Sequence, residues 1–389
     1  MRVAVVAGPD PGHAFPAIAL CKRFAAAGDT ATLLTGVQWL DVARTAGVDA
    51  VELIGLDPTA DDDDDDAGAK IHRRAARMAR QNLDQLAALD PQLVVSDVIT
   101  ACGGMAAELL GLDWVELCPH PLYLPSKGLP PIGSGLAPRA GLNGRLRDTV
   151  LRALTARSVR SGLRQRSAAR VSIGLPARDP GPRRRLIATL PALEVPRPDW
   201  PAEAVVVGPL HFEPTEQVLA VPDGSGPLVV VAPSTAATGA GGLAELTLEH
   251  LVPGQVLPTG ARIAVSRLGG PPLTLPPWAV AGLGRQDDLV ARADLVICGG
   301  GHGMVAKTLL AGVPIVVVPG GGDQWEIANR VVRQGSGRLV RPLTGAALAA
   351  AVSAVLATPS HRDAARRAAA SVAEVADPVA VCHQAVAGA

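Results

Sequence analysis

The sequence predicts an α/β protein in two halves, each a parallel sheet wrapped by helices, with the halves facing each other across a cleft. Three observations predict it. Short, continuous apolar runs recur along the chain, as strands covered on both faces require. Helical stretches alternate with those runs, the mark of βαβ units. The chain has 389 residues, more than one hydrophobic core ordinarily organises, so two domains are the default.

The elements follow in order. Val3 to Ala7 is the first apolar run. Gly8 to Gly12 is rich in turn formers, and a helix is expected from Phe15 to Ala27, closed by Gly28. A second strand is expected over Ala31 to Thr35 and a third over 48–53. The six carboxylates Asp61 to Asp66 repel one another and read as a solvated loop. A metal site would need ligands held in fixed geometry, which such a run does not supply. Ile71 to Leu89 reads as helix, Leu93 to Ser96 as strand with Asp97 at its end, Cys102 to Leu110 as helix, and Trp114 to Leu117 as strand. A long Pro/Gly loop then covers 117–135, a length that is usually functional or disordered.

Residues 143–185 hold twelve arginines against two acids, Asp148 and Asp179. Much of this stretch reads as helix. The plainer expectation is a solvated face whose Arg stems cover apolar surface; the sharper one is peripheral contact with anionic lipid headgroups or a phosphorylated acceptor. Ala204 to Val207 is the next strand, and GPLHFEPTE reads as the start of a linker. A second series begins at Leu228, with further strands expected at Arg262 to Ser266, Ala279 to Gly282, the start of DLVICGGGHG (294–303) and Pro314 to Pro319. A helix is expected from Met304 to Ala311. The first half is assigned to 1–208, the linker to 209–226 and the second half to 227–389, its final helix packing back on the first half.

Composition bounds the function. Apolar residues are 48% of the chain but aromatics only 2%, so Val, Leu, Ile and Ala must fill the core. Lys plus Arg and Asp plus Glu number 36 each, which argues against nucleic acid as an obligate partner. The five cysteines, Cys21, Cys102, Cys118, Cys298 and Cys382, form no CxxC pair or disulfide framework, which fits a reducing cytoplasm. The N-terminus reads as a strand without the regions of a signal peptide, and no run approaches the ~20 apolar residues of a membrane span. A soluble, cytoplasmic protein is expected.

His13, in PGHAFP, follows the first strand, where open α/β sheets bind ligands. A histidine there can act as a base near neutral pH, and Asp97 at another strand end could fix its tautomer. Position alone supports equally the alternative that His13 bonds local backbone and Asp97 caps the next helix. GGGHGMVAK at 299–307 combines a strand, a glycine turn and a helix N-terminus, a ready anion site through Gly300, Gly301, His302 and Gly303. Ser234 and Thr235, after VVVAP, form a second candidate phosphate loop. Asp323 and Gln324, past another strand, suit sugar hydroxyls, because a carboxylate accepts and a carboxamide donates and accepts.

Together these segments resemble the GT-B fold, nucleotide-sugar-dependent glycosyltransferases that modify macrolides, other antibiotics and lipophilic small molecules. GHAFPAIAL resembles their N-terminal motif, VVSD the strand carrying the histidine's aspartate, VVVGPL the lead into the linker, and LGRQDDLVARADLVICGGGHGMVAKTLLAGVPIVVVPGGGDQWEIANRV the donor signature. GHAFPAIAL is also similar to the bacterial lipid-linked N-acetylglucosamine transferases. The resemblance implies a GT-B fold of two Rossmann-like domains, the first binding acceptor and the second binding a UDP- or dTDP-sugar. It implies an inverting, metal-independent transfer with no resident cofactor, His13 as base and Asp97 as its partner. Phe15, His120 and Tyr123 are expected on the acceptor side; Ser234, Thr235, Arg285, Gln286, Gly300, Gly301, His302, Gly303, Asp323 and Gln324 on the donor side. Three positions depart from the family. Gly299 stands where the diphosphate-binding histidine is usual, with His302 a partial substitute; Lys307 stands for the ribose-binding glutamate, and Leu283 for the residue stacking on the base. A non-catalytic binding protein with a degenerate donor site is the alternative. A dehydrogenase is the other rival, against which GPDPGH stands where GxGxxG is needed.

Overall fold

The computed structural model describes residues 1–57, 67–139, 141–236 and 238–387. The acidic run Asp61–Asp66 lies outside the described residues.

The first seven-stranded sheet comprises β1 (Arg2–Val6), β2 (Thr30–Thr35), β3 (Asp49–Glu52), β4 (Leu93–Asp97), β5 (Trp114–Cys118), β6 (Arg184–Ile187) and β7 (Ala204–Val206), in the order β3-β2-β1-β4-β5-β6-β7. The second, six-stranded, comprises β8 (Leu228–Ala232), β9 (Arg262–Ser266), β10 (Ala279–Gly282), β11 (Leu295–Cys298), β12 (Ile315–Val317) and β13 (Gly337–Leu339), in the order β10-β9-β8-β11-β12-β13. The pairings are parallel: Val5 sits opposite Leu33 on one side and Val95 on the other, and Val230 opposite Val296.

Continuous apolar strands arise because both faces of each sheet are covered. In β1, Val3 and Val5 join the cluster with Phe24 and Leu20 of the helix Pro11–Ala26, while Ala4 and Val6 join Met78 and Met105 beneath the opposite face. In β8, Val230 packs with Leu309 and Ile327, and Val229 and Val231 with Leu348 and Val352. From Val207 to Pro227 the chain runs without strand or helix. The last helix, Pro378–Ala387, returns to the first sheet, where Val379, Val381 and Cys382 share the core of Val5 and Phe24.

Several boundaries differ from expectation, each for a physical reason. The first helix starts at Pro11 rather than Phe15, because proline at the first helical turn has φ preset and no N–H to lose. His13 is therefore inside its first turn. The helix expected over 71–89 is two, Ala67–Gln81 and Leu83–Ala88. Asn82 interrupts them, with its side chain accepting from Ile54 N–H and donating to Ile54 C=O, both at 2.9 Å. The arginine-rich stretch holds the long helix Gly141–Ser172 and then β6, where Arg184 and Arg185 precede Leu186 and Ile187. On the helix Leu142, Leu146 and Leu154 stay exposed (82%, 65% and 73%), so Arg stems do not cover them. Among the described residues, no helix is long and apolar enough to cross a membrane. The five cysteines are free and buried.

Arg170, 1% exposed, anchors the end of that long helix by donating to both carboxylate oxygens of Glu108 (2.9 and 2.7 Å). A buried guanidinium stripped of its carboxylate keeps its desolvation cost. Glu108→Ala should destabilise the protein by about 3 kcal/mol. The urea midpoint should fall with the slope of the transition unchanged; an unmoved midpoint would contradict the assignment.

Candidate active site

Where the strand order of a parallel sheet reverses, neighbouring loops leave in opposite directions and open a crevice at the carboxyl ends of the strands. The first sheet reverses between β1 and β4, the second between β8 and β11. His13 and Asp97 follow the first pair, and Ser234 and the Gly299–Gly303 turn follow the second; Asp323 and Gln324 come after the neighbouring β12.

At the first, His13 Nδ1 lies 2.8 Å from Asp97 Oδ2. Asp97 is buried, and its Oδ1 accepts from Ile99 N–H (3.0 Å) and the Thr100 hydroxyl (3.4 Å). The carboxylate thus caps the local turn and holds the imidazole at once. Fixing Nδ1 as the donor leaves Nε2 as the basic nitrogen. Burial opposes a charge on the ring. The Asp97 charge and hydrogen bond, with Asp10 and Asp323 beyond, outweigh it, so His13 titrates above the ordinary histidine value of 6.5.

Around His13 the aromatic residues interlock. His120 meets it edge-on at 6.4 Å and stacks on Tyr123 at 4.4 Å. Burial lowers the His120 pKa, so that ring is neutral. The Tyr123 hydroxyl donates to Asp323 Oδ2 (3.3 Å), bridging the 117–135 loop to the second half. Phe15 packs edge-on against Trp39 (4.8 Å) and Phe212 (5.7 Å).

At the second reversal, β11 runs into Gly299–Gly303 and the helix His302–Leu310. Gly300 has φ 85°, and a Cβ there would lie 3.0 Å from Val317 and 3.1 Å from the Gln324 carbonyl oxygen. Only glycine suits that backbone and that space. Ser234, after β8, accepts from Gln324 Nε2 (2.8 Å), while Gln324 Oε1 accepts from Gly320 N–H (2.9 Å). His302 Nε2 is hydrogen-bonded to Thr189 Oγ1 (2.8 Å), and burial pushes its pKa well below the ordinary value. Lys307 is ion-paired with Glu213 and donates to Gln286 Oε1 (3.2 Å). Glu213 also accepts from the N–H of Gln286 (2.9 Å) and of Asp287 (3.3 Å).

A cavity of about 900 Å³ joins the two points. Of the residues singled out in the sequence, His13, Phe15 and His120 line it from the first half, and Ser234, Thr235, Gln286, Gly301, His302, Gly303, Asp323 and Gln324 from the second. Four do not line it. Asp97 lies behind His13, held against its Nδ1. Gly300 shapes the turn, Tyr123 stands behind His120, and Arg285 spends its guanidinium on Glu216 (2.7 Å) and Asp287 (2.6 Å). Gly299, Leu283 and Lys307 also border the cavity. Sequence reasoning missed Trp39, Thr189, His211 and Glu213. For the last two, the only signal was the cluster HFE in an otherwise proline-rich linker.

Residues 284–387 match the family described as erythromycin biosynthesis protein CIII-like, C-terminal domain. The 4'-demethylrebeccamycin synthase of Lentzea aerocolonigenes is 29% identical over 400 residues, covering 93% of each chain. The glycosyltransferase SsfS6 of Streptomyces sp. SF2575, complexed with thymidine diphosphate, superposes with a TM-score of 0.68 at 19% identity, covering 99% of each chain. The spinosyn rhamnosyltransferase SpnG, complexed with spinosyn aglycone, gives 0.69 at 19% identity over 99% of each chain. Two facing parallel sheets and these matches make the chain a glycosyltransferase of the GT-B fold. Within that class it is similar to enzymes of antibiotic biosynthesis, through the erythromycin CIII-like match in its second half and the demethylrebeccamycin synthase along nearly its whole length.

The His13–Asp97 geometry has a measurable consequence. In Asp97→Asn the largest raising charge on His13 is gone while burial remains, so the ring should titrate lower than in the wild type. Imidazole chemical shifts followed across pH will show the move; an unchanged midpoint would mean Asp97 does not govern His13.

Proposed function

We propose that the cleft transfers a glycosyl group from a nucleoside diphosphate sugar, UDP- or dTDP-linked, to a hydroxyl of a lipophilic small molecule or lipid, with inversion at the anomeric carbon. The observation that carries this reading is the 2.8 Å His13–Asp97 contact at one edge of the cavity, with the helix His302–Leu310 starting at another. His13 Nε2 takes the acceptor's hydroxyl proton as the oxygen attacks the anomeric carbon. A new C–O bond forms on the face opposite the leaving group, and the bond to the diphosphate oxygen breaks. Asp97 stabilises the imidazolium. Negative charge growing on the diphosphate meets the free N–H groups and partial positive charge at that helix start, which stabilise it without a metal.

The apolar wall formed by Phe15, Trp39, Leu210 and Phe212 supports a lipophilic acceptor, placed in the first half near the 117–135 loop. Asp323 and Gln324 line the cavity, and their carboxylate and carboxamide support contacts to the sugar's hydroxyls. The exposed leucines between arginines on the helix Gly141–Ser172 support acceptor delivery from an anionic lipid surface.

His13→Ala should lower transfer by about 10²–10⁴-fold, while nucleoside diphosphate binding measured by calorimetry stays as it was. Full transfer by that variant would overturn the assignment of the base. A base works only when unprotonated, and His13 is raised. In the wild type kcat/KM should therefore fall as pH drops through a midpoint above 6.5.

A further inference from the structure

Where the family places its diphosphate-binding histidine, this chain has no room for one. A Cβ on Gly299 would sit 2.7 Å from Ser234 Cβ and 2.8 Å from the Ser234 backbone nitrogen. A donor diphosphate at the start of the helix His302–Leu310 must find its side-chain hydrogen bond elsewhere. The cavity wall carries Arg267, after β9, and the amides of Gln286 and Gln324, which donate to Ser266 and Ser234; three further nitrogen donors line this part of it, His302, Lys307 and His211.

Two of them are committed. His302 has Nε2 on Thr189, a contact between the halves. Lys307 has its ammonium on Glu213 and Gln286, so its charge is already met. His211, in the chain between β7 and β8, is different. Its Nε2 is buried and has no hydrogen-bond partner among the described residues. Of the side-chain atoms in that state, it alone belongs to a residue lining the cavity. An orphaned buried donor costs stability, and a ligand entering the cleft would recover that cost by accepting from it.

Its surroundings suit an anion. His302, first residue of the helix, and Lys307, five positions on, line the same cavity as His211. The helix start that opens on that cavity has free backbone N–H groups. Burial, with the charges of Lys307 and Arg23, pushes the His211 pKa to about 4. At neutral pH the ring is uncharged, with one N–H to donate and no proton to lose.

We infer that His211, supplied by the interdomain connection, donates Nε2–H to the diphosphate of the donor and of the nucleoside diphosphate product, taking the part of the histidine that Gly299 excludes. The assignment rests on the glycosyl-transfer reading for the identity of the anion.

Calorimetry with UDP, dTDP and GDP tests it. The wild type should bind at least one of them, and His211→Ala should weaken that binding by about tenfold or more, the usual weight of a charge-assisted hydrogen bond. His211→Gln, which keeps an N–H at a similar reach, should recover most of the loss; His211→Met, of similar bulk without a donor, should not. The Gln and Met pair keeps the comparison meaningful should the alanine variant fold poorly. Equal affinity of wild type, Gln and Met variants would overturn the role of His211 and leave glycosyl transfer standing. A wild type that binds none of the three nucleotides would overturn both.

Discussion

The site depends on a topological constraint: a parallel sheet whose strand order reverses leaves a gap at the reversal, because the loops on either side turn away from each other. Both sheets reverse at their central pair, β1 and β4 in one, β8 and β11 in the other. His13 and Asp97 follow the first pair; Ser234 and the Gly299–Gly303 turn follow the second. These groups are therefore placed by the backbone before any side-chain contact is made. Their contacts then refine that placement, as Asp97 does by holding a helix-borne imidazole with one oxygen and its own turn with the other.

The two ends of the cleft obey different electrostatics. At the first reversal a carboxylate raises a histidine. At the second, burial and neighbouring positive charge lower His302 and His211, so both rings are neutral. One residue type is thus raised at one edge of the cavity and lowered at another, and the local charge decides which.

The sequence exposes what is local. Apolar runs flanked by glycines locate most strands, and β9 and β10 fall at the expected residues. His13, Asp97 and the glycine turn stand out because each abuts a strand end. Long-range contacts leave no such trace. Asn82 breaks a helix through bonds to Ile54, which no periodicity records. β6 hides because its Arg185 pairs with both Glu116 and Glu203, so a basic stretch enters a sheet. Glu213 meets Lys307 from 94 positions away, and nothing near either residue announces the other. The linker's contact with the second half was illegible for that reason.

The returning C-terminal helix has a mechanical consequence. The chain passes between the two halves twice, once between Val207 and Pro227 and again just before Pro378, where Ala376 N–H bonds Val206 C=O. The second tether is anchored by Val379, Val381 and Cys382 in the first core and by His383 on Asp29 at 2.7 Å. Two tethers define a line, as two pins define the axis of a door. Sliding and twisting of one half against the other are suppressed, and the remaining low-cost freedom is rotation about that line, opening and shutting the side of the cleft away from the tethers.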